Sequence, residues 1–341
     1  MTTGTDGNLW FAESNTSKIG KVTPSGVVSE FATLTSSSQP TGIALGPGGN
    51  LWFTELNANN IGKITPSGTI TEYPVTTSGA QPNFIVEGPD GNMWFTEWFT
   101  NNIGKITPSG VVTEYSITTP NGFPEGITVG ADGNMWFAEG GTGKIGKITT
   151  GGVITEYAGP AGASPLGITK GPDNNVWFTD SGTNSVGKIT TSGAITEYPI
   201  TTANAFPWNI VSGPDGNIWF SESGLTNPSV SNIAEINTSG VMLGEFATPT
   251  SGAQPTGISV GPDNNIWFAE FNASANKIGQ LIIPASPAAR TAPAVNPPNT
   301  GFGIPAQTNL WTILGIYSSA SLSLLALAIG LMKFSTAKSK N

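Results

Sequence analysis

The chain has 341 residues, no cysteine and no histidine, 10% charged residues, and 13 basic against 22 acidic side chains. Lacking imidazole and thiol, it has no Ser-His-Asp triad, no histidine base, no disulfide and no Cys/His zinc site. The acidic balance argues against nucleic acid, whose phosphates require clustered Lys and Arg.

From the N-terminus the chain is a repeat. A segment of the form Gly-Pro-Asp-Gly-Asn-x-Trp-Phe-x-Glu starts at Gly4, Gly46, Gly88, Gly130, Gly171, Gly213 and Gly261, at spacings of 42, 42, 42, 41, 42 and 48 residues. Each unit reads as four short strands, as in Gly42–Leu45, Asn50–Glu55, Ile61–Ile64 and Thr69–Tyr73. Gly46-Pro47-Gly48-Gly49 and Thr65-Pro66-Ser67-Gly68 separate them. There proline presets φ and glycine accepts φ > 0. Strands at this spacing, with no 3.6-residue period, predict an all-β fold.

One such unit cannot bury its own apolar face, but seven stacked radially can, which predicts a seven-bladed β-propeller of four-stranded blades over residues 1–283. The repeated Trp10, Trp52, Trp94, Trp136, Trp177, Trp219 and Trp267, each followed by Phe, suit packing between blades. The repeat supplies 26 strands where seven blades need 28. The two lacking are an inner strand before Asn8 and an outer strand after Ile283. Met1-Thr2-Thr3 aligns with the tail of that inner strand, so the sequence is expected to start inside the natural protein.

Beyond the repeats the character of the chain changes. All 22 acidic residues but only nine basic ones precede residue 281, a net charge of −13, whereas the last 61 residues hold Arg290, Lys333, Lys338, Lys340 and no acid. Residues 284–309, rich in Pro and Ala, predict a semi-rigid linker. Residues 310–332 carry no charge and predict a transmembrane helix, with a helix docked on the propeller as the alternative. The basic tail 333–341 places the C-terminus in the cytoplasm and the propeller outside. Pro297-Pro298-Asn299-Thr300-Gly301 resembles the Leu-Pro-x-Thr-Gly sorting signal recognised by sortases, through Pro298, Thr300 and Gly301. It also reads as a Pro/Asn-rich linker.

The units Gly-Pro-Asp-Gly-Asn-x-Trp-Phe-Thr-Glu, Asn-Asn-Ile-Gly-Lys-Ile-Thr-Pro-Ser-Gly and Val-Val-Thr-Glu-Tyr closely resemble the virginiamycin B lyase (streptogramin lyase) family of propellers, over residues 1–283. The resemblance implies magnesium-dependent opening of a cyclic depsipeptide at its ester by elimination, through a histidine base with a Glu and a second His nearby. This chain has no histidine. The resemblance therefore carries over the scaffold, and a base would have to be a desolvated carboxylate such as Glu125 or Glu270.

Three features of the repeat remain. Glu13, Glu55, Glu97, Glu139, Asp180, Glu222 and Glu270 recur once per blade, with Lys21, Lys63, Lys105, Lys147 and Lys188 eight residues after the first five. Cross-strand Glu–Lys pairing is the expectation, a cation-attracting ring the alternative. The Asp-Gly-Asn triplets read as turn chemistry rather than calcium loops.

Variation between the repeats marks the site. After each repeated Pro, the pair entering the inner strand should line the central opening. The lining set is Thr41, Asn83, Phe84, Glu125, Trp208, Asn209 and Thr256, with Trp98, Phe123 and Phe206 as a rim. Aromatic and amide groups of this kind suit a glycan, peptide or protein ligand. The expected function is a surface-anchored binding module without cofactor or catalytic residues, with the membrane and a sortase as further partners. The alternative is a C–O lyase or lactone hydrolase using carboxylates and Mg²⁺; a purely structural stalk is a third reading.

Overall fold

The computed structural model describes residues 1–225, 227, 229–272 and 277–283 and the backbone of 311–314, and folds them into seven four-stranded antiparallel sheets. Blade two shows the plan: Pro40–Leu45 innermost, then Leu51–Glu55, Asn60–Ile64 and Ile70–Pro74 outward. Inner strands of neighbouring blades abut around the axis. The ring closes where Thr2–Thr3 touches both Pro40–Leu45 and Pro255–Val260, and Thr3 Oγ1 donates to the Val260 carbonyl at 2.9 Å. The all-β seven-bladed propeller expected from the repeat is the fold.

The second strand of each blade explains why the blades stack. All five residues of Leu51–Glu55, Met93–Glu97 and Met135–Glu139 are buried, because both faces of the strand meet a neighbouring blade. Alternate residues serve alternate interfaces. Trp10 and Ile19 of blade one pack against Ile43, Leu51, Phe53 and Ile64 of blade two. The pattern recurs around the ring and closes it, where Trp267 and Ile278 meet Leu9, Phe11 and Val22. The third strand carries Gly because the Phe ring of the second lies across it; a Cβ at Gly62 would overlap Phe53.

The register corrects the expected Glu–Lys pairs. The tight hairpin after Glu13 sets that residue opposite Lys18, and sets Lys21 opposite Trp10. Lys21, Lys63, Lys105, Lys147 and Lys188 therefore lie over the Trp rings at 4.9–5.3 Å from their centroids. Each Trp also stacks on an outer-strand aromatic, as Trp52 does on Tyr73 at 5.7 Å. The turn Asp completes the unit, as expected of turn chemistry: Asp90 accepts from the Asn92 backbone N–H at 3.3 Å and from Trp94 Nε1 at 2.9 Å, with Lys105 at 3.8 Å. Blade two has Gly48 in place of that Asp, and Trp52 Nε1 is buried without a partner.

Six of the seven per-blade acids face another carboxyl, and Glu270 lies opposite Lys277. Glu97 accepts from Asn102 Nδ2 at 2.9 Å and lies beside Glu114 of the outer strand. Glu114 in turn accepts from Thr77 N and Oγ1 of the preceding blade at 2.9 and 2.7 Å, stapling the two blades together. Glu72 and Glu245 repeat this staple through Thr35 and Thr202. Burial first, then the neighbouring carboxyl, pushes Glu55, Glu97 and Glu139 up to about 7 and Glu222 to about 8. The buried Oε1 atoms of Glu139 and Glu156 have no hydrogen-bond partner, and the Lys144 ammonium lies 3.7 Å from Glu156 Oε1.

The outer strand of blade seven comes from the chain beyond the repeats. Trp311–Leu314 pairs antiparallel with Lys277–Leu281, Leu281 opposite Trp311. This corrects the expected helix over 310–332 at its first turn. The edge of Lys277–Leu281 presents unpaired N–H and C=O groups, and an extended Trp-Thr-Ile-Leu satisfies them. No helix among the described residues is long and apolar enough to cross a membrane. The linker 284–309, the rest of 310–332, the tail 333–341 and the motif residues Pro298, Thr300 and Gly301 lie outside the described residues.

Two measurements test these packing arguments. The inner acids have raised folded pKa values, so their stabilisation is present in full below the unfolded value of roughly 4.3 and disappears as pH rises through about 7 to 8. The turn aspartates are held below their usual range, so theirs is lost only in stronger acid. Thermal melts should therefore peak at mildly acid pH and fall toward pH 9, with a shallower fall in Glu97→Gln. Separately, Gly48→Asp gives Trp52 Nε1 an acceptor if the turn moves from φ 72° at Gly48 to the negative φ at which Asp90 and its siblings stand. It should raise the urea-unfolding free energy by about 0.5–1.5 kcal/mol; unchanged or lower stability would mean that this turn cannot follow its siblings.

Candidate functional site

Six of the seven inner strands, from Pro40–Leu45 onward, enter through a residue followed by proline. In five blades that residue, Gln39, Gln81, Phe123, Phe206 or Gln254, has φ between 45° and 55°. For a bulky side chain this is a strained conformation, costing on the order of 1–3 kcal/mol. Loop contacts hold it: Trp98 N donates to Gln81 O at 3.2 Å, and Ser223 N to Phe206 O at 3.2 Å. The strain places rings at the channel mouth. Phe123 packs on Trp98 at 5.3 Å and 37°, and Phe206 stacks on Trp208 at 5.8 Å.

The strands converge on a cavity of about 440 Å³, within the usual range for ligand pockets of roughly 300–1,000 Å³. The structure brings Thr41, Asn83, Phe84 and Glu125 to its wall, together with Trp98, Trp208, Asn209 and Thr256. Phe123 and Phe206 do not line it; they stand behind Trp98 and Trp208 and brace them. Not every lining group is free to bind. The Thr41 hydroxyl donates to Asn83 O at 3.0 Å, and Asn209 Oδ1 accepts from Ile210 N at 2.8 Å, so both support the strand ends.

Glu125 is the central polar group. It enters on the inner strand Pro124–Val129. Asn83 Nδ2 donates to its Oε2 at 2.9 Å, and Trp98 is its second hydrogen-bond partner. Gly140 and Leu166 close the space beside its stem; a Cβ at Gly140 would lie 3.4 Å from Glu125 Cγ. Glu125 is half-buried and lines the cavity. Burial pushes it up to about 8 against the opposing pull of Trp98 and Asn83.

Across the ring, blades seven and one add Glu13, Glu270, Phe271 and Lys277 to the wall. Burial raises both Glu13 and Glu270, with Thr16 and Thr250 opposing it. Of these, the repeat had marked Glu270 as a possible base and Glu13 as a pairing acid. Lys277 and Phe271 carried no signal, since only curvature of the ring brings the last blade's loop to this cavity.

No group of three or more His, Cys, Asp or Glu among the described residues stands close enough to hold a metal ion. Magnesium does not fit at Glu125, where N–H donors from Asn83 and Trp98 surround a carboxyl in an apolar wall.

The sequence profile of the virginiamycin B lyase family matches residues 1–163 and 157–287. A streptogramin B lyase structure is 37% identical, with 78% of this chain and 88% of that one covered and a TM-score of 0.74. Virginiamycin B lyase from Staphylococcus aureus is 36% identical over 82% of this chain and 94% of that one, at a TM-score of 0.75. A catalytically inactive histidine-to-alanine variant of that enzyme with quinupristin, also 36% identical, covers 82% and 92% with a TM-score of 0.75. No curated protein sequence matched.

Proposed function

The chain belongs to the virginiamycin B lyase family, and from that premise we propose that its propeller binds a compact ligand in the mouth of the central channel. The ligand class is a glycan, a peptide or an exposed protein loop. One observation carries the reading: Phe84, Trp98 and Trp208 meet Asn83 and Glu125 around a single cavity of about 440 Å³. Aromatic faces supply apolar contact area, and the two polar groups fix orientation. The ectodomain should be retained on glycan or peptide arrays, and Trp208→Ala or Phe84→Ala should lose at least about 1 kcal/mol of that binding while the propeller still folds, as circular dichroism would show. Blank arrays with a folded protein would end this reading.

A second reading, favoured by the family and by the desolvation of Glu125, is a C–O lyase or lactone hydrolase acting on a cyclic ester through carboxylates. Incubation with quinupristin separates the chemistries. Elimination opens the ring without changing its mass, hydrolysis adds a water, and binding alone returns the macrocycle intact. The binding reading expects intact quinupristin.

The same proposal holds the propeller at a cell surface. It is supported by the proline-rich linker, the uncharged run and the trailing lysines. With Trp311–Leu314 in blade seven, the uncharged residues left are 315–332. As a helix at ~1.5 Å per residue these reach about 27 Å, near the roughly 30 Å hydrocarbon core. Expressed behind an export signal, the full chain should fractionate with membranes and lose that property on deletion of 315–341. Recovery of the full chain in the soluble fraction would overturn the anchor. Sortase processing at Thr300-Gly301 remains part of the proposal; incubation with a sortase should cleave the chain and spare Thr300→Ala, and an uncut chain would remove the sortase from it.

A further inference from the structure

Glu125 is a carboxyl on the channel wall that has neutral hydrogen-bond donors but no cation beside it. Its Oε2 side is engaged by Asn83 Nδ2 at 2.9 Å. The ionisable groups of its surroundings give it no countercharge. From blade three it meets Asn83 and Trp98, both neutral, while Glu87 lies at the far end of that inner strand and Glu97 is directed into its own blade toward Asn102. From its own blade Glu139 turns to Thr142 and Glu156. From blade five it meets Leu166, with Lys170 at the opposite end of the strand. Glu13, Glu270, Lys277 and the Met1 amine line the cavity from blades one and seven, across the ring.

A carboxyl enclosed in this way, without a cation, retains its proton. We propose that Glu125 is the specificity-determining group of the cavity, presenting an O–H to a carbonyl or ether oxygen of a neutral ligand and discriminating against cationic ones. The inference rests on the binding reading for its biological meaning, but its chemistry is testable alone. Asn83 Nδ2 and Trp98 both hydrogen-bond the carboxyl, and its O–H is what it would offer to a ligand in the cavity it lines. Trp98, its hydrogen-bond partner, and Trp208 line the same cavity and serve as reporters.

The asymmetry of the site follows from this group. A ligand carbonyl placed against the Glu125 O–H completes a hydrogen bond in a low-dielectric wall, where such bonds are strong. A ligand ammonium in the same place requires the proton to leave first. Loss of the proton reverses the preference, because a buried carboxylate repels a carbonyl oxygen and attracts a cation. The proton is held up to about pH 8, so the reversal falls just above neutrality. This also separates the site from a carboxylate base. A base would gain activity as pH rises through that point, whereas a donor loses affinity there.

The test uses ring-sized probes of opposite character, ε-caprolactam with a neutral carbonyl and cyclohexylammonium, read by tryptophan fluorescence and by NMR on the folded propeller. At pH 6.5 the lactam should bind and the ammonium should not. Above the midpoint, lactam affinity should fall about tenfold per pH unit while cyclohexylammonium gains. Glu125→Gln keeps a neutral N–H donor and should hold the lactam with no pH dependence, whereas Glu125→Leu should lose it. Independently of any probe, the fluorescence of the wild type should titrate with a midpoint near 8, and that transition should be absent in Glu125→Gln. A midpoint in the ordinary carboxylate range, or no lactam binding at either pH, overturns the inference. Blank glycan and peptide arrays beside the expected lactam behaviour would remove the binding-module reading and support this one.

Discussion

Everything in this protein depends on the burial of the second strand of each blade from both sides. A strand with only one protected face alternates apolar and polar residues. Here Leu-Trp-Phe-Thr-Glu and its variants are buried throughout, because odd and even positions face different neighbouring blades. No single blade is a folding unit on those terms. The ring must close to cover the last Trp267 against Leu9 and Phe11, and the energy of that closure is distributed over seven similar interfaces.

The polar groups follow from that geometry. Two layers of side chains radiate outward from the aromatic interface. On one side of the blade Lys, Trp, Tyr and Asp form a stacked and hydrogen-bonded unit; on the other an inner acid meets an outer glutamate that staples the preceding blade. The first layer keeps its charges partly solvated and paired, so its aspartates ionise readily. The second removes solvent chiefly from the inner carboxyl, and burial pushes Glu55, Glu97 and Glu139 up to about 7 and Glu222 to about 8. A net negative propeller is thus less highly charged inside than its composition suggests. Where the Thr of the staple is missing, as in the loop 159–164 before blade five, Glu197 turns to Thr183 and Ser185 of its own blade. The ring tolerates the loss of one staple because its neighbours carry the same contact.

The cavity uses what the ring leaves at its axis. Inner strands need little side-chain specificity for packing, so the residues just after each proline are free to differ. Their divergence separates the acid at Glu125 from the threonines at Thr41 and Thr256. The strained Phe123 and Phe206 show how firmly the loops are set, since each ring is held against a tryptophan of the wall. The family's histidine chemistry has no counterpart here, and the site is built from a carboxyl, amides and rings.

The period of 42 residues fixed the fold class, the blade number and the strand order, because those depend on local turn chemistry and on an apolar pattern repeated without exception. The channel-lining positions were also legible, since in a ring the residue after each inner-strand proline has only the axis to face. Partnership was not legible. That Glu13 lies opposite Lys18 while Lys21 covers Trp10 is decided by a hairpin's register, and a difference of a few residues in loop length redirects every side chain in the pair. Nor did the sequence foretell that Trp311–Leu314, read there as the start of a helix, would complete blade seven. An apolar run satisfies either environment, and only the open edge left by Lys277–Leu281 selects the strand. The proton on Glu125 belongs to the tertiary structure for the same reason: a glutamate in sequence is an acid, and its charge is set by what folds around it.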